Sequence, residues 1–153
     1  MKPPRLYIGI DPGASGALAV ISETYEPVLC IDYHPERCIK ALLTIRKSII
    51  SAVYLEHVHA MPGNGVVSMF KFGENFGWWK GALSALLLDF TLVDPKRWQN
   101  HFGFVKITPS DKPSLKFCRK HFPTVDLHLQ KHDGRSDALC IASYALDMTK
   151  MED

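Results

Sequence analysis

Residues 7–20 read YIGIDPGASGALAV, an apolar strand that carries one aspartate at its end, a Pro-Gly turn with one further glycine, and a second apolar strand. A carboxylate at the end of a strand otherwise built for burial requires a partner. The glycine-bearing turn suits a phosphate cradle, and Asp11 suits a metal ligand. The rest of the chain has to decide between them.

Working outward, β-branched and aromatic residues alternate over 5–11, and similar strands are expected at 17–22 and 28–33, joined by short turns. Pro35 opens a helix expected over 36–49, with Ile39, Leu42, Leu43, Arg46 and Ile50 at helical spacing. The next strand, AVYLEHV at 52–58, again delivers a carboxylate, Glu56. Pro62, Gly63 and Gly65 then break the pattern. A helix is expected over 66–88 with Gly73, Gly77 and Gly81 on one side, where a close partner would fit. A last strand at 90–94 stops at Pro95. Helical pieces follow at 95–102, 110–121 and 134–147, with Ser110 and Asp111 capping the second and Asp133 capping the last.

Three successive strands close in sequence form an antiparallel meander, and two later strands reached through helices lie parallel to strand one on its far side. The expected fold is therefore α/β: a mixed five-stranded sheet, strands 1–3 antiparallel and strands 4 and 5 parallel to strand 1, flanked by helices. The C-terminal ends of strands one and four then lie side by side, so that Asp11 faces Glu56. Two such carboxylates repel unless a positive charge sits between them. Oxygen ligands suit Mg²⁺ or Mn²⁺, and two ions about 4 Å apart can activate a water and stabilise a leaving oxygen in phosphodiester cleavage. Further carboxylates arrive in KHDGRSDALCIASYAL at 131–146, where Asp133 and Asp137 are four apart and project from one helix face.

At 153 residues, with 46% hydrophobic and 22% charged residues, the chain reads as one domain spanning 1–153, with ordinary globular composition. No apolar run reaches membrane-spanning length and no signal-peptide pattern opens the sequence, so a cytoplasmic protein without a membrane partner is expected. The four cysteines form no C-x-x-C pair. Cys118, His121, His128 and His132 have spacing loosely reminiscent of a zinc site, but a buried thiol and surface histidines are the simpler reading. Formal charge is −1 over 1–94, +6 over 95–135 and −3 over 136–153, which suggests one face that meets a polyanion.

Three acidic motifs in this order, IGIDPG at 8–13, YLEHV at 54–58 and DGRSDAL at 133–139, resemble the RuvC-type Holliday junction resolvases of the RNase H-like superfamily, particularly their short phage-associated relatives. The resemblance covers nearly the whole chain. It implies an RNase H-like nuclease that resolves four-way or branched DNA junctions by symmetric paired nicking. It aligns Asp11, Glu56 and Asp137 with metal-binding acidic residues. The remaining ligand falls to Asp133, with His132 as a further candidate, because the family's acidic or histidine position corresponds to Gly134 here.

The same resemblance implies a homodimer. Residues 60–83 would approach the junction centre and the twin subunit, with Met61, Val66 and Val67 as apolar wedges and Gly77, Gly81, Trp78 and Trp79 near the dimer contact. Gly13 would lie close to the DNA backbone. Lys71, Lys96, Arg97, Lys112, Lys116, Lys131 and Arg135 are candidate phosphate contacts, as are Lys80, Lys106, Arg119 and Lys120. Other readings remain: another RNase H-like nuclease acting on an RNA–DNA hybrid or non-junction DNA, an inactive branched-DNA-binding protein, or a phosphate loop of the actin-like ATPase kind. The last fold needs two lobes, and this length supplies one.

Overall fold

The computed structural model describes residues 3–152. Its strands are β1 (Leu6–Asp11), β2 (Ala17–Ser22), β3 (Pro27–Asp32), β4 (Ile50–Glu56) and β5 (Thr91–Val93), and its helices are α1 (Pro35–Thr44), α2 (Val66–Ala85), α3 (Pro95–His101), α4 (Pro113–His121) and α5 (Asp133–Glu152). The sheet order is β3-β2-β1-β4-β5. β1 pairs antiparallel with β2 and parallel with β4, and β5 continues parallel to β4. This is the expected mixed sheet, with the expected order of elements.

Period-2 alternation assigns the two faces. Leu6, Ile8 and Ile10 of β1 join Val53 and Leu55 of β4 in a core closed by Cys38 and Leu42 of α1 and Trp79 and Leu83 of α2. Tyr7, with Ala17, Ala19 and Ile21 of β2, faces the opposite core, closed by Leu115 and Cys118 of α4 and the run Ala138–Ala142 of α5. Helices thus cover both faces. Because Asp11 has the parity of Tyr7, and Glu56 that of Tyr54, both carboxylates emerge on the α5 side.

Gly9 explains how closely α5 can lie on the sheet. A Cβ there would stand 2.2 Å from the Ala138 carbonyl oxygen and 2.2 Å from the Ala142 nitrogen. Only a residue without a side chain lets helix backbone rest directly on strand backbone. That contact sets the height of Asp137 above Asp11.

Several boundaries differ from expectation. α1 ends at Thr44 rather than 49: Ile45 turns extended and packs with Ile49 and Ile50 against the core, and only a short 3₁₀ turn (Lys47–Ile49) follows. α2 ends at Ala85, and Leu87 adopts φ 55 so that Leu88 returns to the core. Ser110 and Asp111 do not cap α4. Asp111 instead accepts the backbone N–H groups of Ile107 at 2.8 Å and Thr108 at 2.9 Å, and Pro113 opens the helix. Asp133 is the first residue of α5, after a 3₁₀ turn, and not a cap outside it. Among the described residues no helix is long and apolar enough to cross a membrane.

Candidate metal centre

β1 and β4 are in register through Ile10 and Leu55, so Asp11 and Glu56 follow side by side at the strand ends. α5 brings Asp133 and Asp137 above them. All four carboxylates line one open cleft of about 350 Å³, together with the turn residues Gly13, Ala14, Ser15 and Gly16 and with Phe72 of α2.

The start of α5 is seated by a second close approach: a Cβ on Gly134 would stand 1.9 Å from the Ser15 carbonyl oxygen. Glycine at this position, which the resemblance aligned with an acidic or histidine residue, is therefore a packing requirement here. Asp133, one position earlier, reaches the cleft in its stead.

Each carboxylate is held by one oxygen. The Gly13 N–H donates to Asp11 Oδ1 at 3.0 Å. The Trp98 indole Nε1–H donates to Glu56 Oε2 at 2.8 Å. The Ser114 hydroxyl donates to Asp137 Oδ1 and is itself 3.1 Å from the Ser136 hydroxyl. Lys112 Nζ meets Asp133 Oδ2 at 2.6 Å. Among the described residues the other oxygen of all four carries no protein hydrogen bond. Among the described residues Asp11, Glu56 and Asp137 also have no Lys or Arg within ion-pair distance.

The electrostatics follow first from burial and then from the crowding of the carboxylates. Burial pushes the Glu56 carboxyl up to about 8, with Asp11 beside it adding to the effect. Burial and the charge of Asp11 push Asp137 up to about 7. Asp11 itself rises to about 6, burial outweighing the Gly13 hydrogen bond. Three carboxylates that strain to stay protonated, each with one oxygen pinned and one exposed to a shared cleft, form an oxygen donor set matched to a hard divalent cation.

Trp98 and Ser114 were not singled out in the sequence. A buried indole requires an acceptor for its N–H, but nothing local says that the acceptor is 42 residues away. Lys106 and Lys112 line the adjoining cavity with Trp98, Ser114, Asp133 and Asp137. Arg135 turns its guanidinium to Asp32, at 2.7 and 2.9 Å, and to Asp126 at 3.5 Å. Lys71, Lys96, Arg97, Lys116 and Lys131 are exposed, as are Met61, Val66 and Val67 on the loop and first turn of α2. Trp79 is core, fully buried against Tyr33, while Trp78 is partly buried beside it. His132, expected at the surface, is 4% exposed.

The fold is RNase H-like, and its strand-end carboxylates converge with those of α5. Its architecture is similar to that of RuvC. The structure is similar to Thermus thermophilus RuvC in complex with a Holliday junction substrate, with TM-score 0.69 and 15% identity over 96% of both chains. A second Thermus thermophilus RuvC structure gives TM-score 0.63 and 17% identity, again over 96% of both. In sequence, the chain is 30% identical over 95 residues to the chloroplastic Holliday junction resolvase MOC1 of Chlamydomonas reinhardtii. That match takes in 61% of this chain and 11% of the relative's length. No protein-family model matches.

Proposed function

We propose that the chain is a metal-dependent endonuclease that resolves four-way or branched DNA junctions, acting as a homodimer that nicks two strands symmetrically. The observation that carries this reading is the set of four carboxylates, each with one oxygen fixed by the protein and one free in a single open cleft. The similarity to two kinds of junction-resolving protein supports the choice of substrate.

Asp11, Glu56, Asp137 and Asp133 would hold Mg²⁺ or Mn²⁺, which when bound supplies water activation and neutralises charge at the scissile phosphate. The chain's own residues do the positioning. Trp98 and Ser114 fix the rotamers of Glu56 and Asp137, and Lys112 fixes Asp133. Gly13 leaves the turn bare, so that a DNA backbone can approach Asp11. The exposed Lys71, Lys96, Arg97, Lys116 and Lys131 neutralise flanking phosphates. Met61, Val66 and Val67, 64%, 86% and 73% exposed, present apolar wedges at the junction centre. The reaction leaves a 5′-phosphate and a 3′-hydroxyl.

Two-fold symmetry of the junction calls for two sites related by the same axis. Among the described residues, the face of α2 that carries Gly73, Gly77 and Gly81 has nothing within 4 Å of where a Cβ would stand, which leaves room for a twin helix. Gly77→Leu should therefore leave the monomer folded and weaken dimerisation by about tenfold or more, read by light scattering on a concentration series. An unchanged dimer would move the interface elsewhere.

The carboxyl shifts give a pH prediction. The folded chain keeps these protons to higher pH than the unfolded one, so their contribution to stability is complete below the ordinary carboxylate range and is lost as pH rises through about 6 to 8. The melting midpoint of the metal-free chain should fall by about 5 °C or more between pH 5 and pH 8.5. Added Mg²⁺ or Mn²⁺ should raise it more at pH 8.5 than at pH 5. A cation effect that is equal at the two pH values would contradict binding at these carboxylates.

The direct test of substrate is a panel of synthetic four-way junction, linear duplex and RNA–DNA hybrid in Mg²⁺. Preference for the junction supports the proposal. Equal cleavage of all three identifies a general RNase H-like nuclease, and binding without cleavage an inactive branched-DNA-binding protein.

A further inference from the structure

Beside the carboxylate cleft, a different donor set converges. His57 and His59 leave β4 immediately after Glu56, and Asp94 leaves β5 immediately before α3. The two strand ends are tied together, since Glu56 pairs with Val93 and the His57 N–H donates to the Val93 carbonyl at 2.8 Å. His57 Nδ1 lies 3.3 Å and His59 Nε2 2.9 Å from the same oxygen, Asp94 Oδ1. The three donor atoms lie within 4.8 Å of one another.

The His59–Asp94 separation is that of a hydrogen bond, and both separations also match the spacing of donors around a small transition-metal ion. Ligand bonds of about 2.0–2.2 Å place neighbouring donors about 3 Å apart. Two imidazole nitrogens and one carboxylate oxygen suit a borderline ion of the Zn²⁺ class rather than Mg²⁺, which the four-carboxylate cleft suits. The imidazole rings sit side by side, centroids 3.9 Å apart, with Phe76 of α2 against His57. The side chains are 35%, 57% and 51% exposed in the order His57, His59, Asp94, so an ion has access. Asp94 makes no capping bond to α3 and, among the described residues, pairs with no Lys or Arg.

A second cluster, Asp126 with His128 and His132, makes the contrast. There Arg135 already lies 3.5 Å from Asp126 and donates to its backbone carbonyl at 2.9 Å. A guanidinium occupies the role that a cation would take. The His57 cluster has no such substitute.

We propose that His57, His59 and Asp94 form a second metal site, selective for a Zn²⁺-class ion and separate from the carboxylate centre. It fastens the root of loop 57–65 to the start of α3. Three protein ligands leave coordination positions open to solvent.

The test uses the untagged 153-residue chain carrying Asp11→Asn and Asp137→Asn, titrated with Co²⁺ and followed by visible absorption. Because this background lacks an intact carboxylate centre, the outcome is independent of the nuclease reading. One equivalent of Co²⁺ should develop d–d absorption that Zn²⁺ displaces and Mg²⁺ does not. His59→Gln or Asp94→Asn, both at exposed side chains and checked for folding by circular dichroism, should weaken binding by about 100-fold or more. His128→Ala should leave it unchanged. Absence of the band, its persistence in both ligand variants, or its loss with His128→Ala would each overturn the proposal.

Discussion

Glu56→Gln and Asp137→Asn should each lower cleavage of a synthetic four-way junction by about 10³-fold or more while leaving junction binding within about twofold. The substitutions are nearly isosteric. They keep an oxygen for the Trp98 and Ser114 hydrogen bonds and remove the negative charge on which cation binding depends. The electrostatics add a control. Burial already drives Glu56 towards about 8 and Asp137 towards about 7, so the neutral amides relieve repulsion in the metal-free chain. Both variants should melt at or above the wild-type midpoint in EDTA. Lost cleavage with raised or unchanged stability separates a chemical defect from an unfolded one, and undiminished cleavage would remove these residues from the metal centre.

Gly9→Ala should be among the most damaging single-methyl changes in the molecule. The added Cβ would fall 2.2 Å from both the Ala138 oxygen and the Ala142 nitrogen, with the Ala142 Cα at 2.9 Å, and helix backbone has no rotamer by which to yield. α5 would have to leave the sheet, taking the Asp137 end of the site with it. We expect a loss above about 4 kcal/mol in urea unfolding, in the range of severe core defects. Gly77→Ala is the internal comparison: its Cβ meets open space, so the change should stabilise the monomer slightly through helix propensity. Similar effects at the two glycines would mean that α5 does not rest on β1 as described.

The fold was legible because its signals are local and periodic. Alternation in 7–20 marks the hairpin, Asp11 and Glu56 close their strands on the same parity, and crossover rules order the strands. The RuvC likeness read from three acidic motifs agrees with the architecture. What escaped depends on contacts between distant segments. Asp111 resembles a cap until one sees it folded onto Ile107 and Thr108. Asp133 resembles a cap until Lys112, 21 residues earlier, is seen against it. Trp98 and Ser114 carry no local mark of their carboxylate partners. Gly134 looks like a departure from a ligand pattern, and only the Ser15 carbonyl beneath it explains the missing side chain.

The most direct measurement is strand-resolved mapping of cuts on a four-way junction with each strand labelled in turn, with Mg²⁺ and with EDTA. Cuts at symmetric positions on two opposing strands, present with Mg²⁺, absent with EDTA and absent from linear duplex, are the predicted result. Cleavage that survives EDTA, or that falls equally on linear duplex, would contradict the account.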